Sequence, residues 1–350
     1  MRFRRVDFSF LNPLVGLVYR AIEPLGYRPL TRVQSPFVPP VAARMTTMLR
    51  EGKHDTLRFT LSKLHRDSQR SSIEAMLQIL DDAENADQWI ERLWRWYREN
   101  REFHASNVLA SGLVKYAWLN RGNGSPTRPT ERQMDAAREA FEEAERLIDK
   151  AVAAQPDNVD LLCLRLDTAR GLGLDSTQHW ARFRTLIAVD SGHYRGHLAM
   201  LENLNARWGG SHDAMFQFAR SRAKQMPDGH PLKALVVFAH FEMRNARYWS
   251  GDPNADEYFL APEIATEIEQ AWDESVNSPQ FRDESRADEL HNLFAAALYL
   301  AGRHAPARVA LGRMDGRCLP MPWGPMGATP KEQGNPGWVV DRIRAELNPV

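Results

Sequence analysis

The chain has 350 residues, of which 43% are hydrophobic and 9% aromatic, and this composition excludes wholesale disorder because such side chains can form a substantial core. Its 45 basic residues balance 45 acidic ones, which removes the usual electrostatic argument for a general nucleic-acid binder, although a local basic patch stays open. The two cysteines, Cys163 and Cys318, are too few for a disulfide framework or a thiolate metal site and suit a reducing compartment such as a bacterial cytoplasm.

Residues 1–43 are predicted to form an extended N-terminal arm. The apolar stretch at 8–18 follows a basic start and so resembles a secretory signal, but Asn12 and Pro13 interrupt it. The stretch is also far shorter than the roughly 20 residues that cross a bilayer. Five prolines between 24 and 40 keep the chain extended there. We therefore expect an arm that packs on the first helices, and the alternative is attachment to a membrane surface.

Helical periodicity begins near Val41. Apolar residues recur at spacings of three and four, and Gly52 breaks the pattern before Asp55 starts it again as an N-cap, so the sequence predicts a helical hairpin here. Thr130 is the predicted N-cap of a long helix that ends at Ala154. The other predicted helices cover residues 72–81, 86–100, 106–119, 157–170 or 158–170, 176–189, 194–207, 211–225, 231–245, 262–276, 284–301, 306–313 and 338–347. No segment alternates convincingly with period two, so the predicted fold class is all-α.

One pattern of small and bulky residues recurs three times in this helical region. Its sets start at Ala144, Ala181 and Ala214, which are 37 and 33 residues apart and close to the period of about 34 in tetratricopeptide (TPR) solenoids. The sets are Ala144, Ile148 and Ala151; Ala181, Thr185 and Ala188; and Ala214, Phe218 and Ser221. Small residues at this spacing let the two helices of a hairpin approach closely. We therefore predict a TPR-like helical-repeat domain over residues 44–315.

Residues 316–350 differ from the rest in composition. The stretch at 316–337 holds five prolines and five glycines around Trp323, and a short terminal helix is predicted after it. A loop of this length is either functional or fastened to the body by its large side chains. We expect a strap anchored by Trp323 and Trp338, and the open alternative is an exposed partner-binding loop that uses Trp323.

Motifs for catalysis or cofactor binding are weak. The sequence has no Walker or Rossmann glycine loop, no HExxH, no CxxC and no GxSxG elbow, so we predict no catalytic residue, cofactor or metal. His193 and His197 share a helical face at a spacing that can hold a metal, but no carboxylate accompanies them. Glu267 belongs to a group of acidic residues that could be paired carboxylates, although a solvated helix face is the ordinary interpretation.

A more specific motif is the turn formed by Trp208, Gly209, Gly210 and Ser211. The glycines permit a helix stop at positive φ, and Ser211 can cap the next helix. With Leu201 and Leu204 before it, the turn resembles the Leu-x-x-Leu-x-x-x-Trp-Gly-Gly-Ser hallmark of an uncharacterised bacterial family of TPR-like proteins. That family also has an aromatic helix ending in Arg-Gly, which looks like Tyr116, Trp118, Arg121 and Gly122 here. The resemblance covers about residues 43–226.

The resemblance implies a function, because members of that family are often encoded beside secreted antibacterial toxins, particularly type VI secretion effectors. It implies a cytoplasmic immunity protein that binds and neutralises a cognate toxin, for example a nuclease, by covering its active site. A general TPR-type adaptor in secretion or envelope assembly is the alternative, and an enzyme is a third. A protein partner is therefore expected, with no nucleic acid and no membrane, and the apolar arm also offers a means of forming a homodimer.

The candidate partner-binding residues are Tyr116, Trp118, Arg121 and Trp323. Arg121 is the main candidate, since a guanidinium at the end of an aromatic helix can reach a partner carboxylate in a bidentate pair. Trp208, Gly209, Gly210 and Ser211 are predicted to be structural.

Overall fold

A computed structural model describes residues 30–33, 40–64, 66–81, 85–122 and 129–348. In these residues almost all regular structure is helical, which confirms the all-α prediction. The described residues contain no helix with the length and apolar composition that a membrane crossing requires. Most of the predicted arm, at 1–29 and 34–39, lies outside the described residues.

The chain divides into two compact units, which are described separately. Unit A comprises residues 36–203, and unit B comprises residues 1–35 and 204–350. The predicted boundaries at residues 43 and 315, and the solenoid arrangement itself, stay predictions.

Unit A is built from helices that pack on their neighbours in the sequence. Its described helices are α1 (Pro40–Arg50), α2 (His54–Lys63), α3 (Arg66–Met76), α4 (Ala86–Asn100), α5 (Phe103–Arg121), α6 (Glu131–Ala154), α7 (Val159–Gly171), α8 (Ser176–Val189) and α9 (Tyr194–Asn203), with a 3₁₀ turn at Leu77–Asp81. The most extensive packing is between α5 and α6, whose apolar faces meet in a core that includes Trp96 and Phe141. Thr130 is the N-cap of α6, as the sequence predicts, and forms a reciprocal capping box with Gln133.

Unit B contains the remaining elements. Its described helices are α10 (His212–Gln225), α11 (Leu235–Trp249), α12 (Pro262–Glu274), α13 (Glu284–Leu300), α14 (His304–Arg313), α15 (Pro320–Trp323), α16 (Pro330–Gly334) and α17 (Gly337–Leu347), with 3₁₀ turns at Ala206–Trp208, Pro231–Ala234, Ala255–Leu260 and Gly324–Met326. Large aromatic side chains fill its core, among them the fully buried Phe259, Trp272 and Phe294.

The described part of the N-terminal arm is held by the C-terminal segment. Strand β1 (Arg32–Val33) pairs in parallel with strand β2 (Arg317–Cys318). The amide of Thr31 donates to the Asp341 carboxylate at 2.9 Å, and Arg344 donates to the Thr31 hydroxyl at 3.0 Å. The prediction named the first helices as the surface on which the arm packs, but for residues 30–33 the structure shows the C-terminal segment instead.

The three-fold repeat of small residues only partly describes the packing. The first set is buried, as predicted. In the second set, Ala181, Thr185 and Ala188 are all exposed, because α8 turns a different face inward, the one that carries Phe183 and Leu186. The close approach predicted for this second set is therefore wrong. In the third set the bulky member is buried and the serine is exposed.

Candidate functional site

The predicted partner-binding residues of unit A lie in the last two turns of α5, where Arg121 contacts Trp118. Trp118 is half-buried, and its ring meets the Phe141 ring edge-on, with centroids 5.0 Å apart. The guanidinium carbon of Arg170 lies 4.7 Å from the centre of the Trp118 ring, and that of Arg121 lies 5.7 Å from it. Two cations therefore lie near one indole, an arrangement that holds the ring and both guanidinium groups in fixed positions. We call Tyr116, Trp118, Arg121 and Arg170 the Trp118 cluster.

Arg170 connects this cluster to α9. Its side chain is only 8% exposed, and it forms ion pairs with Glu202 at 2.7 Å and with Asp167 at 3.3 Å. It also donates to the side-chain oxygen of Asn203 at 3.2 Å. Burial raises the pKa of Asp167, against the attraction of Arg170. Buried cations need such partners, so this part of the cluster is electrically satisfied inside unit A.

Arg121 and Tyr116 are more accessible members of the cluster. Arg121 donates to the main-chain oxygen of Gly171 at 3.2 Å, and burial, with a smaller contribution from Arg170, lowers its pKa. The Tyr116 hydroxyl donates to Asp87 at 2.5 Å, and burial raises its pKa. Both side chains are therefore positioned by neighbours while part of each still faces solvent.

Trp323 does not have the accessibility that a partner-binding role requires. Its indole is fully buried, and the ring nitrogen donates to the side-chain oxygen of Asn292 at 2.8 Å. The same oxygen accepts from the amide of Leu319 at 2.9 Å. The structure thus corrects the prediction for Trp323 and supports the strap. Trp338 is half-buried, and the ammonium nitrogen of Lys331 lies 3.1 Å from the centre of the Trp338 ring.

The Trp208 to Ser211 turn is structural, within unit B. Gly209 has a φ of +88°, which ends the preceding 3₁₀ turn, and the Ser211 hydroxyl accepts from the amide of Ala214 at 3.1 Å as the N-cap of α10. The Trp208 ring lies beside the Arg207 guanidinium, 5.4 Å from its carbon. The turn therefore fixes how α10 begins.

Sequence reasoning missed a hydrogen-bonded group in unit B that has a buried histidine at its centre. His240 is 1% exposed, and its ring nitrogens lie 2.8 Å from the Tyr258 hydroxyl and 2.9 Å from Glu267. Arg220 completes the group with two hydrogen bonds to Glu267, at 2.7 and 2.8 Å. The spacing of these residues in the sequence does not indicate the group, because its members come from α10, α11, α12 and a 3₁₀ turn.

Burial and hydrogen bonds within this group set the protonation states of Glu267 and Tyr258. Partial burial favours a higher pKa for Glu267, but hydrogen bonds from Arg220 and His240 outweigh it and bring the pKa to about 2. Because the carboxylate is ionised, Nε2 of His240 donates to it, and in the neutral ring Nδ1 accepts from the Tyr258 hydroxyl. Burial raises the pKa of Tyr258, which keeps that hydroxyl protonated. Both nitrogens are thus occupied, and the ring is out of reach of a substrate.

A shallow groove of about 600 Å³ lies beside this hydrogen-bonded group, lined in part by Arg220, Glu263 and Glu267.

The histidine pair considered from the sequence forms hydrogen bonds with the main chain. Nδ1 of His197 lies 2.9 Å from the His193 carbonyl oxygen, and Nδ1 of His193 accepts from the amide of Gly196. Among the residues that the structure describes, no group of three His, Cys, Asp or Glu side chains is arranged to hold a metal.

No protein-family model matches the chain, and no curated protein matches it. The resemblance carried by the Trp-Gly-Gly-Ser turn therefore stays a prediction.

Proposed function

We propose that the protein is a helical scaffold that binds another protein, and that it is an immunity protein that neutralises a bacterial toxin of the type VI secretion class. The observation that carries the proposal is the Trp118 cluster. Tryptophan, tyrosine and arginine are the residues most enriched among binding hot spots, and here they share one helix end with their side chains already positioned. Such pre-organisation lowers the entropy cost of association.

The chemistry of the cluster supports recognition and not catalysis. Its most buried cation, Arg170, is neutralised by Asp167 and Glu202, and its phenol has a raised pKa, which makes that hydroxyl a poor nucleophile. We therefore assign no enzymatic activity, cofactor or metal. A cytoplasmic protein that covers the active site of a nuclease toxin fits this arrangement.

The test is binding and inhibition with the purified toxin encoded beside this gene. We expect one-to-one binding with nanomolar affinity and loss of toxin activity, whereas a general adaptor would bind several peptides with micromolar affinity. Arg121→Glu should weaken the complex at least about tenfold, and Tyr116→Phe by a smaller factor. Arg138→Glu, an exposed charge reversal on α6, is the matched control. A toxin that stays active and unbound would refute the proposal.

A further inference from the structure

A second tryptophan of unit A, Trp89, has two guanidinium groups near its ring, at the junction of α1 and α4. The guanidinium carbon of Arg92 is 5.2 Å from the centre of the Trp89 ring, and that of Arg50 is 5.8 Å from it. Arg92 also donates to the main-chain oxygen of Arg50 at 2.8 Å, which caps the C-terminal end of α1. We call Arg50, Trp89 and Arg92 the Trp89 patch.

The charges of this patch are not neutralised by carboxylates. Within the part of the chain that the structure describes, neither Arg50 nor Arg92 forms an ion pair with an acidic side chain. The acidic residues closest in sequence are engaged elsewhere: Glu51 pairs with Lys53, Asp87 accepts from Tyr116, Glu91 pairs with Arg98, and Glu99 pairs with His54. The carbonyl end of α1 offsets only a fraction of one charge. The patch therefore presents net positive charge around an apolar ring.

The Trp89 patch differs from the Trp118 cluster because it has no acidic counter-charge among the described residues. There, Arg170 finds its counter-charges inside the protein, in Asp167 and Glu202. Here, Arg50 is exposed and the indole of Trp89 is half-buried, so both groups are accessible to a partner. Carboxylates bind guanidinium groups in bidentate pairs, and a neighbouring apolar side chain of the same partner would cover the indole.

We infer that the Trp89 patch binds an acidic segment of a partner protein, one that carries Asp or Glu next to a hydrophobic side chain. The inference rests on the proposed function, because it names the chemistry of the surface that the inhibitor recognises. A protein is favoured over a nucleic acid because the whole chain has a net charge of zero, whereas nucleic-acid binding relies on an extended basic surface.

The experiment measures the fluorescence anisotropy of a labelled peptide of alternating Glu and Leu titrated with the full-length protein. The variants are Arg50→Glu, the milder Arg50→Ala, and Arg138→Glu as the control of equal charge change. We expect the peptide to bind, with affinity lowered at least about fivefold by Arg50→Glu and less than about twofold by the control. Circular dichroism checks that each variant is folded.

Equal effects of Arg50→Glu and the control, or no binding of the peptide, would overturn the inference, as would tighter binding of a single-stranded oligonucleotide at the same patch. The toxin assay separates the two proposals. If the toxin binds wild type and Arg50→Glu equally well, the inference fails while the proposed function stands. If no toxin binds but peptide binding depends on Arg50, the proposed function fails while the acidic-segment site stands.

Discussion

Gly209 and Gly210 are adjacent in the sequence, but the backbone requires each for a different reason. Gly209 has a φ of +88° with open space around its Cα, so conformation alone selects glycine there. Gly210 has an ordinary φ, but a Cβ at this position would lie 2.0 Å from the carbonyl oxygen of Leu204. The sequence pattern could predict the first requirement, whereas the second depends on how the chain folds back on Leu204.

Alanine at each glycine should separate the two requirements. We expect Gly209→Ala to lower the free energy of unfolding by about 1–2 kcal/mol, the cost of a left-handed conformation. Gly210→Ala should cost more, since the backbone itself has to move. Urea denaturation of both variants measures this, and a smaller loss for Gly210→Ala than for Gly209→Ala would contradict the close approach.

Asn292 holds the strap through a single side-chain oxygen. That oxygen accepts from both the Trp323 indole and the Leu319 amide, and the residue is 2% exposed. Asn292→Ala leaves the buried Trp323 donor and the part-buried Leu319 amide without an acceptor, and we expect it to lower the free energy of unfolding by about 2–4 kcal/mol. Asn254→Ala, at an exposed site in the same unit, should change it by less than about 0.5 kcal/mol. Equal losses would show that the strap does not depend on this oxygen.

At the scale of elements, the hydrogen bonds that link Arg220, Glu267, His240 and Tyr258 join α10, α11 and α12 of unit B. Glu267 is its central member, because it accepts from both Arg220 and His240. From the sequence, Glu267 is one of several acidic residues on a helix face, and a solvated face is the ordinary interpretation. In the structure, Glu267 differs from the exposed Glu263 on the same helix because side chains of two other helices donate to it.

The lowered pKa of Glu267 predicts a pH dependence of stability. Its pKa is about 2 in the folded protein against an ordinary 4.5, so as the pH falls the unfolded chain takes up this proton first. Its contribution is therefore complete above pH 4.5 and is lost as the pH falls towards 2. Glu267→Gln should lower stability at neutral pH by about 1–2 kcal/mol and reduce the slope between about pH 5 and pH 3.

Urea denaturation across that pH range measures the effect, with Glu263→Gln on the same helix as the control. An unchanged slope in Glu267→Gln would show that its hydrogen bonds do not lower the pKa.

The sequence was most informative where local chemistry decides the structure. The N-caps at Thr130 and Ser211 and the helix stop at Gly209 follow from side-chain and backbone preferences within a few residues. The repeat pattern was less informative, because the inward face of α8 is set by the helices packed on it and not by the spacing of small residues. The short helices within the Pro/Gly-rich tail were likewise missed, since large side chains such as Trp323 hold them in place.

At the scale of the whole molecule, the candidate site could be predicted only in part. Trp118 and Arg121 are three residues apart on one helix, so their proximity followed from periodicity. Arg170, 49 residues after Arg121, could not be placed beside Trp118 without the fold. The two guanidinium groups at the Trp89 ring became evident only from the contact between α1 and α4.

The most direct test of a protein-binding surface in unit A is amide hydrogen exchange of the full-length protein, alone and with the cognate toxin that we propose. If the Trp118 cluster and the Trp89 patch contact the toxin, exchange should slow at the C-terminal end of α1, in α4 and at the C-terminal end of α5. Protection confined to other segments, or no protection at toxin concentrations that saturate binding, would contradict a binding surface at these two tryptophans.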